Sequence, residues 1–338
     1  MKKSVVKGQQ RGHLLRRILA RREIVLSVFI LILIAAVSLR SSYFLTLGNF
    51  KNILLDSSIL MVVAIGQMMV IITRGIDLSV ASGLAFSGMA VGLIVSHNWG
   101  IHPLLAVLMG MGIGLVLGSF NGFLISKAGI PPIIATIAAM IIYRGSTYII
   151  SGGAWVDASE MPYGFKQIAR GTLLGVPNLI FIVIVVSLIF YYFLGHTRTG
   201  RQIYAFGSNP DAARFVGIGV GKINFIVYMF SGILSGLAGV LWVSRYASAQ
   251  SNTAAGFELL TVAACVIGGV FIFGGTGTIT GVLLGSLLLS IVVNALNQIR
   301  VSPFWKLAIQ GMIILIAVIT DSIISRRVER TLREGGGS

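Results

Sequence analysis

The sequence breaks into apolar runs of about membrane-crossing length, and that spacing leaves few folds open to the chain. Ten runs can be marked, at 24–39, 53–73, 78–96, 103–126, 131–151, 175–195, 221–244, 258–273, 277–297 and 305–324. Crossing a bilayer takes roughly 20 mostly apolar residues, because only a helix satisfies its own backbone there. The eighth run is short and bounded by glycine, which suits a half-span or re-entrant piece. Between the second and third lies only Arg74-Gly75-Ile76-Asp77, short enough to be a break inside the membrane rather than a loop. The expected fold class is therefore an all-α integral membrane protein. It would have about ten transmembrane helices, some short or broken. A basic tail occupies 1–23, the membrane domain 24–325, and a second tail 326–338, whose last four residues resemble an appended linker.

Composition agrees. Only 11% of the 338 residues are charged and 56% are hydrophobic, with a mean hydropathy of +0.93; a soluble surface needs more charge. The net charge of +16 does not point to nucleic acid, since the basic residues flank apolar runs instead of forming a face. Eight lie in the first 22 residues, four in the 196–222 loop and four in the C-terminal tail. With Arg74 and Lys127 these make 18 on one side. Arg40, Lys51, Lys166, Arg170, Arg245, Arg300 and Lys306 make 7 on the other. Positive residues favour the cytoplasm, so both termini and the 196–222 loop are expected there. The N-terminal basic region is too long for a cleavable signal.

Several chemistries find no support. Cys265 is the lone cysteine and lies in an apolar run, and His13, His97, His102 and His196 have no ligand spacing, so no metal site is expected. Gly219-Val220-Gly221-Lys222 is not a phosphate loop, because Ile223 stands where Ser or Thr is required and Val216 where the first glycine belongs. Gly275-Thr276-Gly277 lacks the preceding strand and the spacing of a dinucleotide fingerprint. The chain is expected to be no enzyme and to hold no cofactor. Glycines recur every fourth residue at Gly110, Gly114, Gly118 and Gly122, at Gly277, Gly281 and Gly285, and at Gly232 and Gly236. Such stripes let helix backbones approach closely in lipid; a glycine-lined pore is the alternative.

The polar loop at 196–221 carries the sharpest signal. Asn209 can cap a helix, Pro210 fits its first position, Asp211 suits its positive end, and Gly217 or Gly219 can end it. It reads either as an amphipathic connector or as a coupling helix seated in an ATPase subunit. In the second reading Ala212 and Ala213 permit close approach and Phe215 is an anchor.

Five ordered motifs resemble the ribose-type ABC importer permeases, over about residues 45–325. They are Gly75-Ile76-Asp77-Leu78-Ser79-Val80, with Arg74 where glycine or serine is common and Ala81 for glycine; Asn121-Gly122 with Ile130-Pro131-Pro132 through Thr136; Tyr143-Arg144-Gly145 with Gly152-Gly153; the 200–218 loop; and the glycines of 232–239 and 268–281. Trp242 to Tyr246, Phe257-Glu258 and Ala263 to Val266 look most like permeases assigned to rhamnose or autoinducer-2. The resemblance implies coupling residues Gly207, Asn209, Ala212, Ala213, Phe215 and Gly217. It also implies ATP-binding partner subunits that hold ATP and Mg, a periplasmic sugar-binding protein, and a second permease copy or paralogue in a bacterial inner membrane. Polar residues inside spans are costly, which makes Asp77, Asn121, Arg144 and Asn294 candidates for the substrate path or for structural pairing. The competing class is a self-sufficient secondary transporter or channel; it would show inverted repeats and a mid-membrane ion site, and neither is evident.

Overall fold

The structure is a computed structural model that describes residues 22–299 except 42, together with 301, 302 and isolated positions from 305 to 319. Helices form wherever apolar runs meet capping residues. The described order is α1 (Arg22–Ser38), α2 (Leu47–Ile72), α3 (Val80–His97), α4 (Pro103–Ser126), α5 (Pro132–Ser151), α6 (Tyr163–Arg170), strands β1 (Thr172–Leu173) and β2 (Val176–Pro177), α7 (Asn178–His196), α8 (Arg198–Ser208), α9 (Pro210–Phe215), α10 (Val220–Tyr246), α11 (Phe257–Ile267) and α12 (Ile279–Gln298). Seven of these, α2, α3, α4, α5, α7, α10 and α12, are long and apolar enough to cross a membrane.

Nine of the ten expected runs thus hold a helix; the tenth, at 305–324, lies largely outside the described residues, as do the tails. Two runs shorten. The eighth contracts to α11, whose 11 residues rise about 16 Å at 1.5 Å per residue, half a bilayer core. The sixth starts three residues late, because Val176 and Pro177 pair with Leu173 and Thr172 in an antiparallel hairpin. Helices α6 and α8 fall in stretches read as polar connections.

Burial sorts the helices into a centre and a ring. In α2, 89% of the most apolar window is buried within the protein, in α10 72%, and in α4 only 22%. The bare faces of the ring are apolar, with Leu108, Phe120, Ile141 and Leu188 exposed. Water would not tolerate that surface, whereas lipid does.

The glycine stripes form helix contacts. The most extensive pairing is between α4 and α10, where Gly110, Gly114 and Gly118 meet Gly232 and Gly236. A β-carbon built on Gly236 would stand 2.9 Å from the Gly114 Cα, and one on Gly118 2.8 Å from the Gly232 Cα. Only hydrogen fits there. A second such seam brings Gly281 and Gly285 against Gly268.

Contacts define the two ends of the bundle. Thr278 donates to Glu23 (3.4 Å), Gly275 N donates to Ile72 O (2.9 Å), and Tyr204 donates to Gly277 O (2.9 Å). The start of α1, the 73–79 break, α8, α9 and the 274–278 turn therefore share one end. At the other end Val156 and Ala249 pair as an isolated bridge, and Arg245 meets Asp56.

Candidate functional site

Helix α9 is built as its residues dictate. The Asn209 side chain accepts from Asp211 N (3.2 Å) and Ala212 N (3.0 Å), satisfying two of the free amides at a helix start. Pro210 occupies the first turn, and Gly217 follows at φ +79°, a left-handed value that ends the helix. Phe215 is 92% exposed and Ala212 is exposed, while Ala213 is 3% exposed and packs inward. Only one of the two alanines therefore faces outward. Asp211 and Arg214 stand 3.9 Å apart on the open face, a pairing worth little in water.

Helix α8 positions α9. Thr197 caps it by accepting from Gly200 N (3.0 Å), and Ile203, Phe206 and Gly207 turn into the bundle. Burial pushes the Tyr204 phenol up, so it remains protonated and keeps its bond to Gly277. The signal for α8 was present in the sequence: a Thr cap and an inward set at 203, 206 and 207.

Gly207 sits against the α2 terminus. A β-carbon there would stand 2.6 Å from Gly275 N and collide with the Ile72 carbonyl. Arg74, exposed at the start of the break, donates from Nε to Gly207 O (2.7 Å) and from Nη2 to Ser208 O (2.8 Å). The coupling segment, the 73–79 break and the 274–275 turn are thus bonded into one unit. Sequence reasoning treated Arg74 as a positive residue in the break and as a departure from a motif, and assigned it no contact.

Behind Arg74 the break runs into the core. Asp77 is 1% exposed; its Oδ1 accepts from Ser79 N (3.0 Å) and Ser79 Oγ (2.7 Å), and its Oδ2 from Ser231 Oγ (2.9 Å). Asn121 donates to Ser79 Oγ (2.8 Å), and Tyr143 donates to Leu117 O (2.8 Å) and Asn121 Oδ1 (3.2 Å). In the orientation that satisfies both partners, the Gln67 amide donates to Asp77 O (3.0 Å) and accepts from Asp77 N (3.2 Å). The Ser79 and Ser231 donors take the place of water around the buried Asp77 carboxyl group. The hollow beside Asp77 and Asn121 is about 10 Å³, room for one water. In this conformation neither residue faces a space large enough for a sugar.

The other two path candidates lie elsewhere. Arg144 donates to Ser251 O (2.9 Å) and Thr253 O (2.8 Å), so it holds the 247–256 loop to α5. Asn294 exchanges amide bonds with Asn49 (3.0 and 3.1 Å) and lines a hollow of about 270 Å³ at the end away from α9. The structure does not bring Asp77, Asn121, Arg144 and Asn294 into one site. Among the described residues no group of histidine, cysteine or carboxylates could hold a metal ion.

The family model described as branched-chain amino acid transport system / permease component matches residues 49–318. The chain belongs to this permease family. The permease is 39% identical over 297 residues to the ribose import permease protein RbsC of Escherichia coli K12, covering 87% of this chain and 92% of that protein. It is 35% identical over 305 residues to the D-allose transport system permease protein AlsC of the same organism, covering 88% and 91%. The autoinducer 2 import system permease protein LsrC of Yersinia pseudotuberculosis is 31% identical over 305 residues, covering 90% and 86%. No solved structure matches the permease.

Proposed function

We propose that this permease carries a monosaccharide or a similar small polyol into a bacterial cytoplasm, driven by a separate ATP-binding subunit that docks on α9. The observation that carries the reading is the exposed Phe215 on a capped helix that Arg74 and Gly207 bind to the core of the bundle. A docking element must be rigid to pass on a displacement, and it must show the partner an anchor; aromatic side chains in central contacts supply much of the binding energy at interfaces. Similarity to ribose, allose and autoinducer-2 permeases supports a small polyhydroxylated cargo. ATP and Mg would be held by the partner, and a periplasmic binding protein would select the sugar. A second permease copy or a paralogue would complete the pore.

The α9 end is assigned to the cytoplasm. Among the described residues that end carries Arg22, Arg74, Lys127, Arg198, Arg201, Arg214 and Lys222, and the other carries Arg40, Lys51, Lys166, Arg170 and Arg245. Positive residues favour the cytoplasm, and the basic stretch 1–21 runs in sequence directly into the start of α1 at that end.

The test is co-purification of the ATP-binding subunit with the permease, together with uptake of labelled D-ribose and D-allose in cells. Phe215→Asp is expected to weaken docking at least about tenfold, since losing a central aromatic contact costs about 2 kcal/mol or more. Ala213→Glu would instead disrupt α9 from inside and is the poorer probe. Unaltered docking and uptake in the Phe215→Asp permease would remove the assignment.

A further inference from the structure

At the end away from α9 two hollows meet along one aromatic wall. The larger, about 460 Å³, lies between Trp242, Tyr246 and the 248–255 loop. The smaller, about 270 Å³, lies between the same two rings and α2, α11 and α12. Its size is close to the lower end of small-molecule pockets, roughly 300–1,000 Å³.

We propose that this cleft binds the transported sugar within the permease itself, with Trp242 and Tyr246 as its platform. The inference rests on the importer reading above and adds the place and the chemistry of contact. A sugar ring has an apolar face of C–H groups and a rim of hydroxyls. The wall offers both complements. Trp242 and Tyr246 stand 5.0 Å apart and Phe257 meets Trp242 edge-on at 5.4 Å, giving a fixed apolar surface; Tyr246 is 44% exposed and presents it to solvent. The polar partners converge on the same hollow. Among the described residues Asp56 accepts on Oδ1, from Tyr246 Oη (3.1 Å) and Arg245 Nη2 (3.3 Å). A carboxylate has about four acceptor sites, so capacity remains for hydroxyls. Asn294, fixed by Asn49, and Ser290 add an amide and a hydroxyl from α12.

Charge selects the ligand class. Among the described residues that line the cleft the one charged group is Asp56, and Arg245 pairs with it at 3.3 Å. A neutral polyol fits. The backbone supports the same reading: the 247–256 segment is not helical, and α11 stops after half a span. Non-helical chain at membrane depth is stable where protein buries it or where it borders a wet cavity, and broken helices mark transporter binding sites. Interfacial anchoring explains aromatic rings at a helix end. It does not explain a carboxylate, an amide and a hydroxyl turned into the same hollow.

The experiment uses the full importer, with its ATP-binding subunit and binding protein, in proteoliposomes. Ser290→Cys in a Cys265→Ser background supplies one thiol in the cleft. D-Ribose and D-allose are expected to slow its labelling by an impermeant methanethiosulfonate reagent several-fold, and L-leucine to leave the rate unchanged. Trp242→Ala is expected to cut uptake about tenfold or more, as loss of an aromatic anchor does, while the ATP-binding subunit still co-purifies. Trp242→Phe should retain most uptake. Labelling that neither sugar slows, in a permease that transports one of them, overturns the proposal and leaves the importer reading intact. Uptake by Trp242→Ala within about twofold of the unaltered protein does the same. Protection without any ATP-dependent uptake would keep the cleft and remove the importer reading; neither protection nor uptake would remove both.

Discussion

The Arg74 guanidinium donates to the Gly207 carbonyl at 2.7 Å, across 133 residues of sequence, and so ties the break after α2 to the segment that holds α9. Arg74 does this with a backbone φ of +66°, a left-handed value that costs a non-glycine residue about 1–2 kcal/mol. Its two bonds to carbonyls are partly or fully exposed, so each is worth about 0.5–1.5 kcal/mol net, and together they offset that cost.

Arg74→Gly should therefore separate folding from coupling. The backbone cost disappears, so membrane insertion and thermal stability in detergent are expected to hold within about 1 kcal/mol. The tie to Gly207 and Ser208 is lost, and sugar moved per ATP hydrolysed should fall about tenfold if one such bond's worth of coupling is removed. An unchanged ratio of transport to hydrolysis would show that Arg74 does not transmit the stroke.

Gly75 packs under the Tyr228 hydroxyl, which is buried with no hydrogen-bond partner among the described residues. A β-carbon at Gly75 would fall on that oxygen, whereas the ring Cζ is 3.4 Å away. Gly75→Ala should destabilise the permease by about 1–3 kcal/mol through overpacking. Adding Tyr228→Phe should restore most of the loss, and Tyr228→Phe alone should be neutral or stabilising. The check is a double-mutant cycle of detergent melting curves; additive effects would refute the contact.

Along α4 the glycines are not equivalent. Gly114→Ala is expected to push α4 off α10, because its β-carbon would stand 2.9 Å from the Gly236 Cα, and to lower stability by at least about 1–3 kcal/mol. Gly112, two residues away, has nothing within 4 Å of its β-carbon position. Gly112→Ala should be neutral or slightly stabilising, since alanine favours the helix by about 1 kcal/mol. Equal losses in the two variants would contradict the seam.

Topology is open to labelling. In a Cys265→Ser background, Asn209→Cys should react with an impermeant thiol reagent only after cells are opened, and Ala158→Cys should react in intact cells. Labelling of position 209 in intact cells would reverse the orientation and with it the place proposed for the ATP-binding subunit.

Much of the fold was legible one segment at a time. Helix α9 follows from Asn209, Pro210 and Gly217 because a cap and a stop act within a few residues. Helix α6 was missed because its three inward side chains, Phe165, Ile168 and Ala169, have meaning only when a surface lies beneath them. That surface is α10, where Ser244 Oγ accepts from Ala169 N (2.9 Å) and donates to Phe165 O (2.8 Å). Of the four path candidates, Asp77 and Asn121 share a hydrogen-bonded cluster, Arg144 clamps a loop and Asn294 lines the cleft. Asn121, Arg144 and Asn294 are polar residues in apolar runs and Asp77 stands in the break between two runs; nothing in that pattern tells a path residue from a structural one.

The sequence by itself determined the class of protein, where most of the apolar helices fall, the glycine stripes and the cap of α9. Each follows from hydropathy or backbone geometry over a short window. Only the tertiary structure decided that Arg74 grips Gly207, that Ala213 turns inward while Phe215 stands bare, and that Asp56 joins Trp242 and Tyr246 around one cleft. Those facts depend on helices far apart in the chain arriving side by side, and helical periodicity specifies a face without naming the neighbour that covers it.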